Sequence, residues 1–476
     1  MSRIFLGSQI VNSTQRRESR PHGEGDDGAT QSAKETWTGH EGPGMTMQTS
    51  LQGIARKASE KPQHRFRNVF GLLSVDSLIW CWQFLKKEAA PGIDRVDYYA
   101  YRENLVGNVK ALVERLKRGS YKAKLVRRKW IPKGKDKLRP LGIPVTEDKL
   151  LQTGVMRILQ AIYEQDFLNC SFGYRPKLGP QDAVKELTRG LQFGKYGYVV
   201  EADIKGYFDS IDHDWMMRML EERIDDRPFM RLIRKWLKAG ILEEDGKVLH
   251  PETGSPQGGI VSPVLSNIYL HYVLDLWFER VIKRSSRGTA RLIRYCDDFV
   301  GIFQFKEDAE MFYSSLGDRL AKFKLQISPE KTNIVRFSRW DKKGSGSFEF
   351  LSFEFCWGKS RAGKDWLKRR TSRKKLRASV ANFTAWIRKE RHTKIRKLFK
   401  TLNAKYRGYW NYYGVIGNYQ SLDDFYYQTK RILFKWLNRR SQRRSYDWKA
   451  FKQLLEYMQI ERPRITERNL VKVIGG

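Results

Sequence analysis

"RLIRYCDDFV" (residues 291–300) sets two adjacent acids, Asp297 and Asp298, between two apolar, strand-like arms. A strand, a tight turn and a second strand place the pair at an exposed tip while the arms bury their apolar faces. Two carboxylates 4 Å apart repel by about 4 kcal/mol at an effective dielectric of 20. A second buried strand, "YVVEAD", ends at Asp203. If it lies beside the hairpin, three carboxylates converge, and a divalent cation with a preference for hard oxygen donors, Mg²⁺, neutralises them.

The rest of the chain points to a polyanionic partner. Its 476 residues carry 90 Lys and Arg against 53 Asp and Glu, a formal charge of +37. A surplus of this size makes nucleic acid the first candidate partner. With 40% hydrophobic and 13% aromatic residues, the chain is not disordered throughout. Cys81, Cys170, Cys296 and Cys356 form no CxxC pair, so neither a zinc site nor a disulfide framework is suggested and a reducing cytosol is expected. No apolar run approaches the ~20 residues of a membrane span, and the N-terminus is not a secretory signal.

Residues 1–58 are rich in Gly, Ser, Thr, Gln and charge and read as a disordered leader, with Met45 and Met47 as candidate translation starts. "VFGLLSVDSLIWCWQFLKKEA" has helical spacing. "LVRRKWIPKGKDKLRPLGIP" reads as two short strands joined by a basic turn, and a helix starts at Thr146. "YGYVVEADIKGYFDSID" is strand and turn, followed by the helix "HDWMMRMLEERI". "KEDAEMFYSSLGDRLAKFKL" is an amphipathic helix and "GSFEFLSFEFCWG" a hairpin. From about residue 360 the chain turns helical and very basic. The centre is therefore α+β, with antiparallel hairpins and helices packed on one side.

Several motifs in order carry a family resemblance: "WIPKGKDKLRPLGIP" (130–144), "FGYRP" (172–176), "ADIKGYFDSIDH" (202–213), "GSPQGGIVSPVLSNIYL" (254–270), "YCDD" (295–298) and "LQISPEKT" (325–332). Together they resemble the reverse transcriptase/maturase proteins encoded by group II introns, of the bacterial type lacking an endonuclease domain. The resemblance covers roughly residues 86–415. It implies a right-hand polymerase: fingers with an N-terminal extension (59–195), a palm (196–357), an α-helical thumb or maturase domain (358–450) and a short C-terminal segment (451–476). It also implies RNA-directed DNA synthesis with two Mg²⁺ ions, Mn²⁺ being a substitute.

The resemblance assigns residues in turn. Asp203, Asp297 and Asp298 are the catalytic carboxylates and, with the backbone carbonyl of Ile204, the metal ligands. Phe208 resembles the steric gate that leaves no room for a 2′-hydroxyl. Lys133 and Arg139 resemble the cations that hold the triphosphate of a deoxynucleotide, and Gln257 the side chain lying against that nucleotide. Gly258 and Gly259 let the backbone approach closely. Lys331 resembles the lysine near the leaving pyrophosphate. "FEFLSFEF" resembles the primer-grip hairpin, with Ser352 where the family usually has Gly. His213 reads as a helix-start residue, and Asp209, Asp212 and Asp214 suit a turn and a helix N-terminus.

Between residues 359 and 449, 27 Lys and Arg face 5 Asp and Glu. Successive basic helices make a positive wall able to follow a nucleic-acid backbone. "KYRGYWNYYGVIGN" (405–418) resembles the maturase-specific domain. Arg175, Arg373, Lys374, Lys375, Arg407, Tyr409, Trp410 and Asn411 are the expected nucleic-acid contacts. The implied partners are a group II intron RNA, an RNA template and a DNA primer or target, in the bacterial cytoplasm and at the nucleoid, with no membrane. No CxxC follows the thumb, so no endonuclease is expected, and mobility would use another primer, such as a replication-fork strand. A domesticated relative acting in phage defence or DNA repair, or a splicing-only maturase, is the alternative. The intact set Asp203, Asp297, Asp298, Phe208 and Gln257 argues against the latter.

Overall fold

The computed structural model describes residues 47–132, 138–243, 245–249, 252–254, 258–341, 344–360, 362–441 and 445–467. At its centre is a four-stranded antiparallel sheet. It comprises β3 (Tyr198–Asp203), β6 (Ala290–Tyr295), β7 (Asp298–Phe303) and β8 (Asn333–Arg336), in the order β6-β7-β3-β8. A second sheet has the order β2-β1-β4-β5, with β1 (Val126–Pro132), β2 (Leu138–Ile143), β4 (Ile241–Leu242) and β5 (Val248–Leu249). A third joins β9 (Phe348–Phe350), β10 (Phe353–Lys359) and β11 (Asp365–Thr371) in the order β11-β10-β9.

Successive side chains of a strand point to opposite faces, and here that alternation divides the central sheet between two hydrophobic cores. Val200, Ala202, Leu292, Phe299 and Phe303 join the first core, with the helix Lys306–Lys322. Val199, Ile293, Val300 and Ile302 join the second, with the helix Pro180–Phe193, the third sheet and the C-terminal helices. Helices therefore cover both faces, where the sequence pattern had suggested one. The reason is that neighbours such as Val199–Val200 and Ile302–Phe303 leave neither face polar. Glu201, Asp203 and Asp298 share the face of the second core by the same parity.

Several expected boundaries move. The expected leader is helical from Met47 to Glu60. Met47 and Ala58 are buried in the first core with Leu51 and Ile54 packed on it, and Arg223 donates to the carbonyls of Ala58 and Lys61, each at 3.2 Å. The helix expected around residues 69–89 is confined to Val75–Trp82, where Ser74 caps it, preceded by a 3₁₀ turn. The division at 357/358 falls inside β10, and that at 450/451 inside the helix Trp448–Tyr457. The basic helical region begins after β11, at Arg373, where the Ser372 hydroxyl caps the helix Arg373–Glu390. Residues 1–46 lie outside the described residues. No described helix is long and apolar enough to cross a membrane.

Candidate active site

The hairpin at 295–298 turns in two residues, Cys296 and Asp297, with Tyr295 paired to Asp298. On the other side of β7, Asp298 pairs with Asp203 at the end of β3. Cross-strand neighbours in an antiparallel pair lie about 4.5–5.5 Å apart at Cα, so two of the three acids meet at one end of the sheet and Asp297 stands at the adjoining tip. Cys296 has φ +60°, a conformation that disfavours any side chain but Gly's. The strain is held from below by Arg294, which is fully buried. Its guanidinium donates to the Cys296 carbonyl (3.0 Å), both Asp275 oxygens (2.7 and 2.5 Å), Asn267 Oδ1 (3.1 Å) and Ser171 Oγ (2.7 Å).

Neighbouring backbone completes this support. Asp275 belongs to a π-helical turn, His271–Asp275, that continues the helix Ser262–Leu270. The segment "FGYRP" lies along β6, with Phe172 N–H donating to the Arg294 carbonyl at 2.9 Å. A Cβ on Gly173 would stand 2.4 Å from the Cys296 nitrogen, so only glycine fits. Sequence reasoning did not single out Arg294, Asp275 or Asn267. The available signal was a charge inside the apolar arm "RLIRY" and a lone acid within "HYVLDLWF".

The electrostatics suit a cation. Burial, then the charges of Asp297 and Asp203, push the Asp298 carboxyl up to about 7. Burial likewise raises Glu201, two residues before Asp203, to about 7. Asp203 Oδ2 accepts from the Ser328 hydroxyl (3.3 Å) and from the Lys331 ammonium, and its carbonyl accepts from Ser328 N–H (2.8 Å). Lys331 thus stands at the acidic end of the sheet. Ile204 forms a bridge with Ile327 flanked by the bonds Lys205 N–H to Gln326 and Ser328 N–H to Asp203, and among the described residues no donor is seen on its own carbonyl. Among the described residues no three His, Cys, Asp or Glu side chains already stand at mutual metal-ligating distance. The donor chemistry nevertheless fits: hard oxygens whose repulsion a divalent ion would relieve.

Phe208 is buried in a 3₁₀ turn directly after β3, edge-on to Tyr207 at 5.4 Å, and is part of the first core. Arg139 lies on β2 opposite Ile131, and its charge reaches Tyr174, whose phenol also feels Cys296 and Asp297. The second sheet is therefore close to the hairpin tip. Gly258, at φ +121°, leaves no space for a Cβ, which would stand 2.2 Å from the Gly142 carbonyl on β2. The close backbone approach is made to the neighbouring sheet. Lys133 and Gln257 lie outside the described residues. His213 starts its helix, its Nε2 2.7 Å from the Gly254 carbonyl, and Asp212 caps that helix at Trp215 N–H (2.9 Å).

Three expected nucleic-acid contacts are corrected. Arg175 is engaged by the protein, bonding Glu164 (2.9 Å) and the carbonyls of Leu168 (3.1 Å) and Ser171 (2.9 Å). Trp410 is fully buried and stacks on Tyr406 with centroids 5.4 Å apart. Tyr409 stacks on Phe425 at 3.9 Å, inside the helical packing. Arg373, Lys374, Arg407 and Asn411 are exposed and Lys375 is half-buried. Arg407 forms a long ion pair with Glu461, at 3.5 Å.

The model of the reverse transcriptase (RNA-dependent DNA polymerase) family matches residues 131–355. The group II intron-encoded protein LtrA of Lactococcus lactis subsp. cremoris is 31% identical across 79% of this chain and 75% of that protein. The chain belongs to the group II intron-encoded reverse transcriptases. Protein YkfC of Escherichia coli (strain K12) is also 31% identical, across 63% of this chain and 85% of its own length. A 91 kDa protein in the cob intron of Schizosaccharomyces pombe is 39% identical over 36% of this chain and 21% of its own. Members of this family are RNA-directed DNA polymerases and maturases, and this chain is one of them. Its fold is the right-hand polymerase plan with an added helical domain.

Proposed function

We propose that the chain extends a DNA primer on its own group II intron RNA, bound along the basic C-terminal helices, and acts in splicing and in target-primed mobility of that intron. The observation that carries this reading is the cross-strand pairing of Asp203 with Asp298 beneath a tip formed by Asp297. Asp203, Asp297, Asp298 and the Ile204 carbonyl would hold Mg²⁺, with Mn²⁺ as a substitute. When bound, the metal pair supplies the charge that activates a 3′-hydroxyl and stabilises departing pyrophosphate. Lys331, beside Asp203, is placed to donate a proton to, or neutralise charge on, the pyrophosphate oxygens. Arg139 would grip the triphosphate as a planar fork, and Phe208 would form a wall against a 2′-hydroxyl. The fingers then comprise the 47–60 helix through residue 195, the palm runs from 196 through β11, and the thumb starts at Arg373.

Primer extension on an RNA template tests the assignment. Asp297→Ala should abolish extension, by at least about a thousandfold if charge stabilisation is the dominant contribution, while RNA binding and splicing assistance persist. Loss of both at once would show instead that the substitution unfolds the palm. Phe208→Ala should admit ribonucleotides, and unchanged sugar selectivity would remove it as the gate.

A further inference from the structure

The hairpin between β9 and β10 turns at Leu351 and Ser352, with φ +50° and +70°. Positive φ at both central residues is the pattern of a type I′ turn, which Asn-Gly or Gly-Gly normally fills. Here a leucine and a serine occupy it, so the turn is intrinsically strained and persists only if its surroundings fix it. Those surroundings come from the helical domain and from Ser372, which caps its first helix. The Tyr412 hydroxyl donates to the Leu351 carbonyl at 3.0 Å, and Ser372 N–H donates to the Ser352 carbonyl at 3.0 Å. The Tyr412 ring stacks on Phe353, at 6.0 Å and 13°. Tyr412 is itself anchored from the opposite side. Gln181 Nε2 donates to the Tyr412 carbonyl at 3.3 Å and to that of Asn411. The phenol is buried, and the Asp298 charge is among those it feels.

We propose that Tyr412, within the motif "YRGYWNYY", is a positioning residue for DNA synthesis. Its hydroxyl holds the strained 351–352 turn in the register that presents the primer 3′ end to the carboxylates. This rests on the assignment of 348–355 as the primer-grip hairpin. The maturase-like motif thereby does part of its work for the polymerase, by fixing a palm turn that its own sequence fails to fix.

Tyr412→Phe keeps the ring and its stacking and removes only the hydroxyl. In steady-state extension of a DNA primer on an RNA template, it should lower kcat/KM for the primer–template about tenfold and shorten the products made per binding event. The KM for the deoxynucleotide should stay within about twofold. Glycine adopts positive φ without strain, so in a Ser352→Gly background the same substitution should cost less than twofold. That rescue separates a positioning role from packing or direct RNA contact, neither of which glycine at 352 restores. Leu351→Val puts a β-branched residue where φ is positive, a genuine outlier, and should reproduce the Tyr412→Phe defect. A harmless Tyr412→Phe beside a defective Leu351→Val overturns the proposal alone. A harmless Leu351→Val overturns the primer-grip assignment. A Tyr412→Phe defect that persists undiminished with Ser352→Gly also overturns the proposal. Thermal melts of all four proteins accompany the kinetics, and a melting point lowered in parallel with activity and not recovered by Ser352→Gly counts as an overturning, packing-only result.

Discussion

Two hairpins of this reverse transcriptase face the same problem and solve it differently. The 295–298 hairpin and the 350–353 hairpin both reverse in two residues, and both place non-glycine residues at positive φ. The first is held from within its own domain by a buried, fully engaged guanidinium and the π-helical turn that carries Asp275. The second is held from outside, by Tyr412 and Ser372. The turn beside the carboxylates proposed for catalysis is thus built into the core, while the turn proposed to guide the primer depends on contacts from the neighbouring helical region. Strain in each is tolerated because other contacts over-determine it.

The comparison breaks most readily at Arg294. Arg294→Met leaves Asp275 as an unpaired buried charge and should lower the unfolding free energy by about 3–5 kcal/mol, read by denaturant melts. Arg294→Met with Asp275→Leu should recover most of that stability, because a buried ion pair exchanged for apolar groups is often neutral. Extension should stay impaired in the double variant, since the bond to the Cys296 carbonyl is not restored. Recovery of both would reduce the network to ordinary core and end the contrast between the two turns.

A smaller effect concerns pH. Burial lowers His271, on the same π-helical turn, to about 4 from its usual 6.5, against an opposing pull from Asp275. Its ring is neutral in the fold, so between those values the unfolded chain binds a proton that the folded chain does not. Stability should therefore fall as pH drops through this window, by up to about 3 kcal/mol. His271→Leu should flatten that limb of the stability curve; an unchanged limb assigns the acid sensitivity elsewhere.

The smallest effect separates the two turns directly. Ser352→Gly relieves positive φ but removes the serine's side-chain hydrogen bond with the Tyr413 phenol, so it should change stability by no more than about 0.5–1 kcal/mol, part of the relief also being lost to the unfolded chain's added freedom. Cys296→Gly forfeits a buried side chain packed against Gly173 and should give no net gain. Equal gains at both positions would show that neither turn is fixed by its surroundings.

Much of the site was legible because its signals are local. The apolar runs "YVVEAD" and "DFVGIF", with acids at the strand ends, read as buried strands, and pairing them brings Asp203 opposite Asp298. The helix starting at Thr146 is where its spacing puts it, and that at His213 is where its spacing and the Asp212 cap put it. Other features failed for identifiable reasons. In the 47–60 helix, Met47, Leu51, Ile54 and Ala58 do recur at helical spacing, but the polar leader before them hid the pattern. Arg175 and Trp410 carry the right chemistry for nucleic acid, yet a carboxylate and two carbonyls claim the first and an aromatic cluster encloses the second.

By itself the sequence determined the acids at strand ends and the basic helical third, consequences of residue type and short-range period, while the role expected of Phe208 came from the family resemblance. Only the tertiary structure decided what supports them. That Arg294 sits under Cys296, that Gly258 meets β2, and that Tyr412 reaches Leu351 are contacts between residues remote in the chain. No local preference encodes such pairs, because each exists only once two separately folded surfaces are pressed together by burial of the cores between them.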